Sequence, residues 1–259
     1  LTVRNSELSS LDGLQGKLAL VRLTADGSKI DDVSPLSGLT ALRYLSLRDN
    51  AIGDISPLSA CTTLSNLDIT NNVVQTLAPL KSLALLEGLY ASDNAFTAID
   101  LELSDTLTSL AIAKTAVTSL SPLSGHPHLR FLDISSTSLE SFSPLFDLPA
   151  LTFLFADDVG ATDLDAFPLA QLSSISLQHN QIEDVAPLDA LDGVSVDLTG
   201  NEVVSLPANF VGPRAHCGGL VLVENPLDAA AKARLEVLCE ERSGTFFWDG
   251  GGCDTCPRL

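Results

Sequence analysis

One phrase, L-x-x-L-x-L-x-x-N, returns along the chain and governs what it can fold into. It reads LRYLSLRDN at 42–50, LSNLDITNN at 64–72, LEGLYASDN at 86–94, LTSLAIAKT at 107–115 and LRFLDISST at 129–137. LTFLFADDV (151–159), LSSISLQHN (172–180), GVSVDLTGN (193–201) and CGGLVLVEN (217–225) continue it. LALVRLTAD (18–26) fits with Asp26 in the last slot, and a partial copy precedes it. Asn50, Asn72 and Asn94 fall 22 residues apart, room for one short strand and one return segment. Such a unit cannot bury its own leucines, so the copies are predicted to stack as a solenoid over residues 1–226.

The closing residue of each phrase sits where the strand ends and backbone groups lose their ladder partners. An asparagine amide donates and accepts at once and can satisfy those groups across adjacent units. This predicts a ladder through Asn50, Asn72 and Asn94 that lapses at Thr115, Thr137 and Val159 and resumes at Asn180, Asn201 and Asn225. The return segments carry a second phrase: VSPL (33–36), ISPL (55–58), LAPL (77–80), SLSPL (119–123), FSPL (142–145) and VAPL (185–188). Serine before proline reads as a helix start, with the hydroxyl as cap and the proline in the first position.

Together with DISPLSACTTLSNLDITNN (54–72), these phrases resemble the leucine-rich repeat family, its internalin type in particular. The resemblance implies an α/β solenoid, a horseshoe with a concave parallel β-sheet and short 3-10 or α turns on the convex side. It also implies a bacterial protein, secreted or displayed on the cell surface, that binds a protein ligand. Two alternatives stand beside it: a cytoplasmic regulatory scaffold similar to the leucine-rich subunit that binds protein phosphatases, and the recognition half of a larger effector.

After Asn225 the repeat stops, and residues 227–259 read as a C-terminal cap. NPLDAAAKARLEVLCEERSG predicts an amphipathic helix with Leu235, Leu238 and Cys239 on one face, covering the open end of the core. Cys217, Cys239, Cys253 and Cys256 fall here, and four cysteines allow three pairings. Disulfides that hold the short tail are the favoured reading, with a four-thiolate zinc site and reduced apolar cysteines as the others. Cys61, alone on a return segment, reads as a packed free thiol.

Acidic residues outnumber basic ones 33 to 14, a field that repels nucleic acid and anionic membrane surfaces. No apolar run approaches the roughly 18–20 residues that span a bilayer. The opening LTVRNSELSS is no signal peptide, and the chain reads as mature or trimmed, without an N-terminal cap. His126 and His128 in GHPHL read as surface residues, and Asp157, Asp158, Asp163 and Asp165 as a solvated rim without the ligand order of a calcium loop. No phosphate loop or paired acid and base stands out, so the chain is expected to be a non-enzymatic monomer without cofactors.

Strand residues between the apolar slots face solvent, and stacking turns them into columns. The first runs Leu20, Tyr44, Asn66, Gly88, Ser109, Phe131, Phe153, Ser174, Ser195. The second runs Arg22, Ser46, Asp68, Tyr90, Ala111, Asp133, Phe155, Ser176, Asp197. Phe131, Phe153 and Phe155 are thus predicted to form an exposed aromatic patch, with Tyr90 and Tyr44 further along. Arg130, Asp133, Asp157 and Asp158 supply a rim, and Arg22, Arg43 and Arg48 gather near the amino end beside Asp49. Exposed apolar groups with a polar rim mark a partner surface.

Overall fold

The computed structural model describes residues 1–4, 8–100, 104–191, 193–213, 219–241 and 245–254. They form two compact units, Leu1–Asp133 with Thr137–Ala150 and Ile134–Ser136 with Leu151–Leu259. The first holds strands β1 (Thr2–Arg4), β2 (Arg22–Asp26), β3 (Tyr44–Ser46), β4 (Asn66–Asp68), β5 (Gly88–Tyr90), β6 (Ser109–Ala111) and β7 (Phe131–Asp133), each parallel to the next. The second holds β8 (Phe153–Phe155), β9 (Ser174–Ser176), β10 (Ser195–Asp197), β11 (Gly219–Val221) and β12 (Thr245–Trp248), also parallel, and then β13 (Gly251–Asp254), antiparallel to β12. The return segments from β2 to β5 and from β6 to β10 form 3-10 turns, as at Ser56–Ala60 and Ala186–Ala190.

Register explains the core. Leu23, Leu45, Leu67, Leu89, Leu110 and Leu132 face one another across successive strands and are at most 2% exposed. Leu154, Ile175, Val196, Leu220 and Phe246 face one another in the second unit and are at most 3% exposed. Full burial of one such side chain stabilises by about 1.5–3 kcal/mol, and the repeat delivers this at every strand.

Strands β2 to β11 are each left by the same turn. Asp49, Asn71, Asp93, Lys114, Ser136, Asp158, His179 and Glu224 have φ between 52° and 59°, and Gly27 and Gly200 adopt the same left-handed region. The residue that follows is the ladder position. Asn72 Nδ2 donates to Ile69 O in its own repeat and to Leu47 O in the previous one, while its Oδ1 accepts from Ile52 N. Asn50, Asn94, Asn180 and Asn201 repeat this pattern, and Asn225 bridges Leu198 O and Val203 N. Thr115 reaches only back to Ile112 O through its hydroxyl. At the Val159 gap Asn180 Oδ1 accepts two amides, those of Val159 and Ala161.

The serine before proline does not cap its turn. Its own amide is the first donor without a partner, and a serine hydroxyl cannot reach its own N–H. The acceptor comes from two residues upstream instead: Ser34 N donates to Asp32 Oδ1 at 2.7 Å, Ser56 N to Asp54 Oδ1 and Ala186 N to Asp184 Oδ1. Hydroxyls of Thr76, Ser119 and Ser141 accept in the same way. These are Asx and ST turns feeding a 3-10 helix, with proline in its second position.

The C-terminal region adds helix α1 (Ala229–Glu241), which buries Ala231, Leu235 and Leu238 and packs on β12 and β13. The tail was expected to be held by disulfides, and Cys239 and Cys253 are bonded, with 5.8 Å between their Cα atoms. Cys217 and Cys256 lie outside the described residues. Beyond that expectation, the chain re-enters the sheet after α1: Phe246 and Trp248 point to the core, and the Asp249–Gly250 turn brings β13 back. Gly251 and Gly252 allow the return, since a Cβ would fall 2.4 Å from the Trp248 ring at one and 2.7 Å from Phe247 at the other.

Candidate ligand-binding face

The solvent side of the sheet is built from the two residues of each strand that flank the buried central one. In the first unit the first column is Arg22, Tyr44, Asn66, Gly88, Ser109 and Phe131, and the second is Thr24, Ser46, Asp68, Tyr90, Ala111 and Asp133. This corrects the predicted register at the amino end by two residues. Arg22, not Leu20, pairs with Tyr44, and Asp26 lies opposite Arg48, whose amide it accepts. The backbone selects this register because it places Gly27 at the left-handed turn position.

The consequence is a stacked pair. The Arg22 guanidinium lies 4.1 Å from the centroid of the Tyr44 ring, on an exposed part of the face. A shallow hollow of about 160 Å³ runs from Arg22, Tyr44 and Ser46 to Asn66, Asp68 and Tyr90. Beside it Asn66 and Tyr90 pack over Gly88, where a Cβ would lie 2.7 Å from Asn66 Oδ1 and 3.4 Å from the Tyr90 ring. Arg48 reaches Asp68 at 3.7 Å, and Asp68 Oδ1 also accepts from Thr70 N. Burial nevertheless pushes the Asp68 carboxyl above the ordinary carboxylate range, outweighing the Thr70 hydrogen bonds and Arg48, with Asp26 adding to the rise. Arg43 is exposed at the start of β3, Arg130 is exposed just before β7, and Phe131 is half-buried beside Ser109.

In the second unit the columns run Phe153, Ser174, Ser195, Gly219, Thr245 and Phe155, Ser176, Asp197, Val221, Phe247. Phe153, Phe155 and Phe247 are 43%, 38% and 41% exposed. Phe155, Ser174, Ser176, Ser195, Gly219 and Thr245 line a trough of about 360 Å³, with Asp197 and Gln178 at its side. Phe247 was not among the predicted face residues; the alternation in TFFW, buried at Phe246 and Trp248 and open between them, is the signal that marks it. Of the predicted aromatic patch, Phe131 belongs to the first unit and Phe153 and Phe155 to the second.

Asp157 is occupied internally. Its Oδ1 accepts the Ser176 hydroxyl at 2.6 Å and the Gln178 amide at 2.8 Å, the same arrangement that Asp26 makes with Ser46 and Arg48. Asp158 is exposed at a left-handed turn position. His126 departs from the expected surface placement: it is buried, its Nε2 lies 2.9 Å from Ser104 O, and its Nδ1 is enclosed without a hydrogen-bond partner. His128 is exposed. Among the described residues no group of three or more His, Cys, Asp or Glu side chains is placed to hold a metal ion. No described helix is long and apolar enough to cross a membrane.

The stacked parallel strands, 3-10 returns and asparagine ladder define a leucine-rich repeat solenoid. Residues 40–82 match the family model of leucine-rich repeats in two copies. Among solved structures the chain is similar to an internalin, InlF, of Listeria monocytogenes, at 23% identity and a TM-score of 0.75 over 95% of this chain and 79% of that one. Internalin C2 of the same organism is 27% identical with a TM-score of 0.55, over 77% of this chain and 80% of that one. An octameric complex of latrophilin 3, Unc5D and FLRT2, with leucine-rich repeats in FLRT2, contains a chain that is 19% identical with a TM-score of 0.69, over 95% and 80%. No curated protein matches the chain by sequence.

Proposed function

We propose that this is a non-catalytic protein-recognition module, acting outside the cell or at its surface, that binds its ligand on the solvent face of the sheet. The observation that carries the reading is the exposure of Phe153, Phe155 and Phe247 in one column system around a trough of small side chains. The repeat needs none of them there, because the buried slots of the same strands already hold Leu154 and Phe246. Aromatic anchors beside a groove are the usual high-energy points of a protein interface. Within the first unit Tyr44 and Tyr90 carry the same chemistry, together with Arg43, Arg48 and Arg130, and Phe131 and Asp133 stand on its last strand. The Cys239–Cys253 disulfide supports an oxidising compartment, and the likeness to internalins is consistent with a bacterial surface or secreted protein.

Affinity capture with mass spectrometry tests the reading. Proteins retained by the wild type should be lost from a Phe153→Ser, Phe155→Ser variant and kept by Phe146→Ser, on the return segment, where Phe146 is 51% exposed. Equal capture by all three, with circular dichroism confirming the fold, contradicts it.

A further inference from the structure

We propose that the sheet face of the first unit recognises an acidic, aromatic-containing peptide segment of the partner through Arg22, Arg43 and Arg48, with Tyr44 as platform; this rests on the sheet-face reading above. The chain carries only 14 basic residues against 33 acidic ones, yet three arginines gather on β2 and the two ends of β3. All three are exposed. Of the carboxylates beside them, Asp26 Oδ1 holds the Ser46 hydroxyl and the Arg48 amide, while Asp68 holds the Thr70 amide through Oδ1 and lies 3.7 Å from Arg48 through Oδ2. Among the described residues neither Arg22 nor Arg43 makes an ion pair.

The stacking geometry decides what Arg22 can bind. Held over the Tyr44 ring at 4.1 Å from its centroid, the Arg22 guanidinium is a cation fixed on this face with N–H donors in a planar fork. A carboxylate can accept two of them in parallel. Arg43 precedes Tyr44 in the chain and adds a second cation. An aromatic side chain following the acid would meet the hollow lined by Tyr44, Ser46, Asn66, Asp68 and Tyr90. The net charge of −19 opposes a long polyanion such as nucleic acid, so a short acidic segment inside a protein is the occupant that fits.

The test uses fluorescence anisotropy with two labelled decapeptides, one alternating Glu and Tyr, the other Gln and Tyr. The whole chain should bind the Glu peptide about tenfold more tightly, and a rise in ionic strength from about 0.01 M to about 0.15 M should erase most of the difference. Arg22→Gln with Arg43→Gln should abolish the preference, Arg22→Lys should keep part of it, and Asp68→Asn should strengthen it by removing the competing carboxylate. Phe146→Ser, on a return segment, should leave it unchanged. Equal binding of the two peptides overturns the proposal, as does a preference that survives loss of both arginines. Equal affinity for an oligothymidylate decamer, or full competition by millimolar inorganic phosphate, also overturns it, since the site would then take anions without regard to the peptide. A captured partner that protects the sheet face while the two peptides bind alike removes this proposal and leaves the sheet-face reading standing.

Discussion

Asn72 shows how much one side chain does in this architecture. Its amide donates to carbonyls of two repeats and accepts from a third position, all buried. Asn72→Ala leaves several of these groups without partners, and urea titration should show a loss of about 2–4 kcal/mol. Asp68 works in the opposite sense. Burial holds its folded-state value above the unfolded one, so its contribution to stability is present at acid pH and is lost as pH rises through the folded value. Asp68→Asn is therefore expected to be more stable than the wild type at neutral pH and equal to it below about pH 4, read by thermal melts across that range. Cys61 is buried, and burial pushes its thiol up, so it should resist alkylation until the chain is unfolded.

At the scale of elements, the leucines and asparagines were legible because each is repeated and each copy checks the others. The second strand was harder to place, because residues 18–28 satisfy the leucine pattern in two registers. LALVRLTAD has the better apolar match, but the chosen register puts Gly27 in the left-handed turn and Ala25 in a leucine slot. Turn conformation outweighed side-chain size, and Arg22 moved onto Tyr44 as a result. The turn caps were hidden for a similar reason: Ser-Pro is the conspicuous pair, while the acceptor is the plainer Asp or Ser two residues earlier. Strands β12 and β13 escaped because they follow α1 outside the repeat period. The Cys239–Cys253 bond joins α1 to β13 across a separation of 14 residues. Cys239→Ser with Cys253→Ser should lower stability by about 3 kcal/mol, with hydrogen exchange rising first in α1, β12 and β13.

For the molecule as a whole, the division of labour follows from the repeat. Buried slots and the ladder set the backbone, and the slots between them make up the proposed recognition face. Sequence columns located most of this face but not its partner, since unrelated ligands are bound on one leucine-rich fold. The aromatic residues on it allow a direct reading. Hydroxyl-radical footprinting of the chain with and without its captured partner should show Phe153, Phe155, Tyr44 and Tyr90 protected and Phe146 unchanged. Protection of Phe146 with the four sheet residues still reactive would contradict the account and put recognition on the return segments.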